Sequence, residues 1–196
     1  MPNLSGRLAS IIVAACLLTG CQPPAPVPTP VPSYRCTPEA GGAEFHCSQK
    51  QYDDMVAKDK LYAEAEAVYK KFLAEDIRIM RAGGVSNPTT ILLETTSGAF
   101  LEDVMAEYLD MRDLGLRAEG SDPVVVALVR QPGLSKGGSA VVLASCIDST
   151  ATAFVSQGKV QKHGPLARDT VYFAVVDGAQ LKIIGADGGK VSTCGS

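Results

Sequence analysis

The stretch from Tyr52 to Ala82 constrains the fold most, because neither proline nor glycine interrupts it. Ser48 begins a Ser-x-x-Gln pattern that is typical of a helix start, and Gly83-Gly84 supply a stop. We therefore predict one long amphipathic helix from Ser48 to Ala82. A coiled coil remains an alternative, although the apolar stripe is not a clean heptad. The stripe consists of Tyr52, Met55, Val56, Tyr62, Ala65, Tyr69, Phe72, Leu73 and Met80.

Two shorter helical segments follow. Pro88 suits the first turn of a short helix, and a second amphipathic helix is predicted near Phe100 to Leu114, with Gly115 after it. Its apolar face is formed by Phe100, Val104, Tyr108 and Met111.

The pattern changes beyond Pro123 to short runs rich in β-branched residues, including the terminal "KVSTC". Asp177-Gly178 between two apolar runs predicts a hairpin, and "GADGGK", from Gly185 to Lys190, is interpreted as a turn. Helices come first and strands after, without βαβ alternation. This order predicts an α+β fold in which the long helix and shorter helices pack on a curved antiparallel sheet.

Residues 1–20 have the pattern of a lipoprotein signal peptide: a cationic start at Arg7, an apolar run, and "LLTGC" ending at Cys21. This ending looks like a lipobox, so Cys21 is predicted to be lipidated. A buried cysteine that happens to close an apolar run is the alternative. A transmembrane anchor is the weaker interpretation, since the run is far shorter than the ~20 residues of a spanning helix.

Residues 21–34 contain prolines at positions 23, 24, 26, 28, 30 and 32. Such a segment predicts a semi-rigid polyproline stalk about 35–40 Å long. A ligand for proline-recognition domains is the alternative. Residues 35–196 then remain as a single domain, which is long enough for its own core.

Cys16 leaves with the predicted signal and Cys21 is the lipidation site, so four cysteines remain. An even number in an exported domain indicates disulfides, with three possible connectivities. We favour Cys36–Cys47 as a local loop and Cys146–Cys194 as a link between two predicted strands. No C-x-x-C or H-x-x-H pair occurs, so we expect no zinc site and no other metal or cofactor.

Removal of residues 1–20 takes away one cation and no acid, which leaves a net charge of about −4. A mildly acidic domain is a poor match for nucleic acid or for a polybasic membrane patch. The membrane is therefore expected as a partner only through the acyl chains, palmitate among them, on Cys21.

This element order resembles the nuclear-transport-factor-2-like α+β cone, and in particular the exported lipoproteins of actinobacteria and their prophages. The resemblance covers Tyr34 to Ser196. The segments that match are "YRCTPEAGGAEFHCS", "KDKLYAEAEAVYKKF", "LLETTSGAFLEDVM", "DTVYFAVVDGAQLKI" and "VSTC". The cone supports isomerases, dehydratases and binding modules, so it does not imply one function.

The resemblance implies that an enzyme of this fold would use Asp, His or Tyr at the cone mouth. The weak catalytic candidates are Asp148 and His163, followed by Asp169 and Tyr172. Nothing in their spacing shows a catalytic arrangement, and we interpret them as solvated turn residues. Four aromatic residues are expected to line a cavity or to form core: Tyr69, Phe72, Phe100 and Tyr108.

We therefore expect a lipid-anchored protein on the extracytoplasmic face of the cell membrane. Its domain would be noncatalytic and would bind a small apolar ligand or an envelope protein. The alternative is an isomerase, dehydratase or hydrolase in the same cone, and a further alternative is superinfection exclusion by a prophage. The state of the cavity discriminates between them: an apolar cavity with a convergent Asp/His pair favours an enzyme, and an apolar cavity alone favours ligand binding.

Overall fold

The computed structural model describes residues 33–178 and 180–195. The predicted signal peptide, the predicted lipidation site Cys21 and most of the predicted stalk lie outside these residues. The described part forms one compact unit. It contains no helix that is both long enough and apolar enough to cross a membrane.

Three helices come first, after a short hairpin of β1 (Tyr34–Cys36) and β2 (Phe45–Cys47). The long helix α1 spans Gln49–Ala82, with the predicted capping box at Ser48 and Gly83 in the left-handed conformation at its end. Two short helices follow, α2 (Thr90–Thr95) and α3 (Gly98–Asp113). The helical predictions for α1 and α3 are thus confirmed to within two residues.

Seven strands follow the helices and pair antiparallel in two sheets. One sheet has the order β4-β5-β8-β9, and the other has the order β3-β6-β7. Both Gln157-Gly158 and Asp177-Gly178 have positive φ, as the tight hairpin turns require. The strands are β3 (Arg117–Gly120), β4 (Val124–Arg130), β5 (Val141–Asp148), β6 (Thr152–Ser156), β7 (Lys159–His163), β8 (Leu166–Val176) and β9 (Gln180–Lys190).

The fold is α+β as predicted, but four local predictions are wrong. The short helix α2 starts two residues after Pro88 because the Thr89 side chain caps it by accepting from the Leu92 N–H. The predicted "GADGGK" turn continues β9, since it pairs with β8 through a register shift at Tyr172. Residues 191–194 lie beyond that strand rather than in one of their own. His163 ends β7 instead of lying in a connecting loop.

The main core lies between α1 and the four-stranded sheet. Tyr62, Ala65, Tyr69 and Ile79 of α1 are buried at helical spacing, and each is at most 3% exposed. They meet one face of the sheet, whose buried residues include Val141, Leu143, Val171, Phe173, Leu181 and Ile183. The ring of Tyr69 packs edge-on against Phe173 at 6.5 Å.

Two disulfides link the cysteines in the favoured connectivity. Cys36 and Cys47 close the β1–β2 hairpin, with Cα atoms 5.9 Å apart. Cys146 of β5 binds Cys194 at a Cα distance of 5.8 Å. Cys194 follows β9 rather than lying in a strand, so this disulfide holds the end of the chain against the sheet.

Candidate functional site

The candidate site is a cavity of about 620 Å³ between the second half of α1 and the sheet residues that face it. We call it the carboxylate cavity, because Asp76, Glu107 and Asp169 all line it. The rest of its wall is largely apolar, with side chains from α1, β4, β5 and β6: Leu73, Ile77, Met80, Val125, Ile147 and Phe154. A cavity of this size can hold a small organic molecule.

Helical periodicity places Asp76 at the cavity. It lies seven residues after Tyr69 and four after Phe72, so it shares the apolar side of α1 rather than the charged side. Its side chain is half-buried, and the surface that remains accessible lies at the cavity.

The Tyr108 hydroxyl of α3 donates a hydrogen bond to Asp76 Oδ1 at 2.7 Å. Burial raises the pKa of Asp76 to about 6, because desolvation disfavours the charged carboxylate. The hydrogen bond from Tyr108 opposes this shift, and the charge of Glu107 adds to it. Burial, together with the neighbouring Asp76, also raises the pKa of Tyr108, which keeps the tyrosine a donor.

Asp169 reaches the cavity from β8. Strand alternation puts it on the same face as Val171 and Phe173, which are buried against α1. Burial raises the pKa of its carboxyl group. No hydrogen bond from a described residue acts on this carboxyl group.

A glycine on the neighbouring strand provides the space for Asp169. Gly188 of β9 is its register partner, and a Cβ atom at Gly188 would overlap Asp169 Oδ1 and the Arg168 carbonyl. The glycine-rich end of β9 therefore serves as strand and also makes room for the carboxylate.

Glu107 lies at the rim and is exposed. Desolvation raises its pKa, the positive charge of Lys162 opposes that shift, and Asp103 and Asp110 add to it. Of the three carboxylates, Glu107 is the one with a cation among the groups that perturb it.

Tyr69 belongs to the core, and the charges of Asp76 and Asp169 act on its hydroxyl group. Its hydroxyl forms a buried hydrogen bond of 2.6 Å with the Ser145 hydroxyl of β5. Burial raises the pKa of Tyr69 to about 12; the bond to Ser145 opposes the shift, and the charges of Asp169 and Asp76 add to it. Both carboxylates therefore act on the same hydroxyl group.

The two weak catalytic candidates lie elsewhere. Asp148 is half-buried at the end of β5 and accepts hydrogen bonds from the Thr150 N–H and hydroxyl, which lower its pKa. His163 is exposed at the end of β7 and is not among the residues that line the cavity. The structure thus brings no Asp/His pair together at this site.

The remaining candidates are divided between core and surface. Tyr69, Phe72 and Tyr108 belong to the main core and do not line the carboxylate cavity. Phe100 and Tyr172 line a smaller groove of about 270 Å³, where Lys136 Nζ lies 5.5 Å from the Tyr172 ring. Asp169 alone among the sequence candidates lies in the carboxylate cavity.

A groove of about 750 Å³ lies between the disulfide hairpin and the start of α1. Its charged residues already have partners: Glu39 accepts a hydrogen bond from Tyr62, and Asp59 accepts one from Arg130. This groove is larger, but two of its acidic residues, Asp54 and Asp59, are in salt bridges. We favour the carboxylate cavity as the candidate site because none of its three acidic residues is in a salt bridge with a described residue.

Sequence reasoning missed Asp76 and Glu107, although a signal for Asp76 was present. A carboxylate at helical spacing from Tyr69, Phe72 and Met80 interrupts an apolar stripe. Glu107 had no such signal, because it shares α3 with other acidic residues on an exposed face.

No protein-family model matches this chain, and no curated protein resembles it significantly. Among the described residues, no three His, Cys, Asp or Glu side chains are grouped so that they could hold a metal ion. What the site offers chemically is an apolar enclosure, two partly desolvated carboxylates and a tyrosine that orients one of them.

Proposed function

We propose that this protein is a lipid-anchored envelope lipoprotein whose domain binds a small, mainly apolar ligand in the carboxylate cavity. The cavity itself is the observation that carries the proposal. It measures about 620 Å³ and has a mostly apolar wall, whereas the aromatic residues beside it form a filled core.

The long helix packed on an antiparallel sheet is compatible with a nuclear-transport-factor-2-like cone, and we propose that fold family for the domain. In such a cone we expect the ligand site between the long helix and the sheet. The carboxylate cavity has a corresponding position, between α1 and strands β4, β5 and β8.

A blocking substitution tests the binding function. Ala74 is exposed on α1 at the cavity, so Ala74→Trp should fill the entrance without disturbing the core. The full chain is titrated with Nile red, a neutral apolar dye whose fluorescence rises on transfer from water. We expect saturable binding that Ala74→Trp weakens at least about tenfold.

Ala67→Trp is the matched control, because Ala67 is exposed on the same helix but does not line the cavity. It should bind the dye as the unmodified protein does. Equal binding by both tryptophan variants would show that the dye does not enter this cavity.

The anchor rests on "LLTGC" behind an apolar run. Cys21→Ala should shift the protein from the membrane fraction and change its electrophoretic mobility, since two or more acyl chains provide stable anchoring. An unchanged mobility together with full membrane retention would contradict the lipoprotein proposal.

Asp76 supports one alternative, an acid–base enzyme in the same cavity. A carboxyl group with a pKa of about 6 in an apolar site has the properties of a general base that works near neutral pH. Turnover of a carbonyl compound with an acidic α-proton, lost in Asp76→Asn and kept in Asp148→Asn, would favour this enzyme over a binding protein.

A further inference from the structure

We infer that the ligand of the carboxylate cavity carries a cationic nitrogen on an apolar body, and that Asp76 and Asp169 bind the nitrogen. This inference rests on the proposed binding function and adds the chemical class of the ligand. It stands on the geometry of two carboxylates that lack a positive partner inside an apolar enclosure.

The charge around the two carboxylates is not balanced by the protein. Asp76 receives one hydrogen bond, from Tyr108, and no hydrogen bond from a described residue acts on the half-buried Asp169. Neither has a Lys or Arg among the groups that perturb it. Lys70 lies at the cavity but is exposed on α1, and Lys162 acts on Glu107 at the rim.

The buried acid Glu75 shows how the protein can compensate such a charge. Its carboxylate accepts two hydrogen bonds from Arg78, each 2.7 Å long. Asp76 and Asp169 have no such cationic partner among the described residues. A positive charge on the ligand would supply what the protein does not.

The structure orients one carboxylate and leaves room for the other. Tyr108 orients Asp76 from the core side, and Gly188 leaves room for Asp169 on β8. Carboxylates that are already desolvated lose little further hydration when a ligand arrives, so a buried ammonium can gain charge-assisted hydrogen bonds there. A ligand carboxylate would instead meet two like charges.

The apolar wall requires that the rest of the ligand be hydrocarbon-like. Leu73 and Ile77 of α1 face Val125, Ile147 and Phe154 of the sheets across the cavity. An amine with a short alkyl chain matches both parts of the site, whereas a hydrated metal ion does not match the apolar wall.

Three probes of one chain length separate the charge from the apolar contact: hexylamine, 1-hexanol and hexanoic acid. Each is titrated calorimetrically into the full chain at neutral pH, with the protein kept in one non-ionic detergent throughout. We expect hexylamine to bind at least about tenfold more tightly than 1-hexanol, and hexanoate to bind more weakly than either.

Asp76→Asn and Asp169→Asn test the residues. Each should lower the ratio of amine affinity to alcohol affinity by about tenfold, because an amide retains the shape but not the charge. Asp148→Asn is the matched control: Asp148 does not line the cavity, so the ratio should not change. Circular dichroism verifies that each variant is folded.

The outcomes distinguish the proposed binding function from the inferred cationic class of the ligand. If 1-hexanol binds as tightly as hexylamine, or if both cavity variants keep the full ratio, the cationic class is wrong while the cavity remains a ligand site. If none of the three probes binds, and Nile red does not bind either, the proposed binding function fails together with this inference.

Discussion

At the scale of the residue, Asp76 is subject to two opposing effects on the charge of its carboxyl group. Burial on the apolar side of α1 disfavours its charge, and the hydrogen bond from Tyr108 offsets only part of that effect. Its pKa in the folded protein, about 6, is therefore above the value of about 3.9 that an unfolded chain gives an aspartate.

This difference predicts how stability depends on pH. Between about pH 4 and pH 6 the unfolded state ionises Asp76 while the folded state keeps its proton, so the free energy of unfolding falls as the pH rises. Asp76→Asn removes the carboxyl group that titrates in this pH range. The variant should therefore gain stability relative to the unmodified protein as the pH rises from 4 to 7.

The gain should be at most about 3 kcal/mol, because the accessible part of the side chain is screened by solvent. Urea unfolding at the two pH values measures it. Asp148→Asn is the control with the opposite sign: the hydrogen bonds from Thr150 lower the pKa of Asp148, so its loss should reduce stability at pH 7. A stability difference between Asp76→Asn and the unmodified protein that is independent of pH would contradict the assignment.

At the scale of the element, strand β9 combines two properties that its glycines make possible. Its second half stays paired with β8 through Lys190, and Gly188 leaves space for the Asp169 carboxylate. The neighbouring glycine, Gly189, differs from Gly188 in the space around it, because a Cβ atom at Gly189 would have no other atom within 4 Å.

Gly188→Ala should therefore destabilise the protein by about 1–3 kcal/mol, because the new methyl group overlaps Asp169 and the backbone of Arg168. Gly189→Ala, on the same strand, should change stability by less than about 0.5 kcal/mol. Chemical denaturation of both variants gives the comparison. Equal effects would mean that the loss of glycine flexibility, rather than the contact with Asp169, determines the result.

At the scale of the whole molecule, the two disulfides constrain chain loops of different length. Cys36 and Cys47 are 11 residues apart in sequence, whereas Cys146 and Cys194 are 48 apart. Cys36 and Cys146 are both buried, so packing effects are similar for the two disulfides and loop entropy should determine the difference.

Replacing Cys146 and Cys194 by alanine should lower stability by about 4 kcal/mol, and replacing Cys36 and Cys47 by about 3 kcal/mol. Each double variant serves as the control for the other in a denaturation experiment with the same detection. A larger loss from the hairpin disulfide would show that the hairpin stabilises the start of α1 beyond closing its own loop.

The sequence by itself determined the helices α1 and α3, the α+β class and the hairpin at Asp177-Gly178. It indicated disulfides but left three connectivities possible, and the structure has the favoured one. These features depend on local signals: helix caps, apolar periodicity, positive-φ turn residues and spacing along the chain. Local signals do not show which strands pair across long distances. Neither the division into two larger sheets nor the continuation of β9 through Gly185 to Lys190 was predicted.

Only the tertiary structure decided the site. Asp76 and Asp169 are 93 positions apart in sequence, and they line the same cavity because α1 packs against the face of the sheet that carries Asp169. The raised pKa values arise from burial that a linear pattern does not contain. Asp148 and His163, the weak catalytic candidates of the sequence analysis, lie outside this cavity: Asp148 is half-buried at the end of β5, and His163 is exposed at the end of β7.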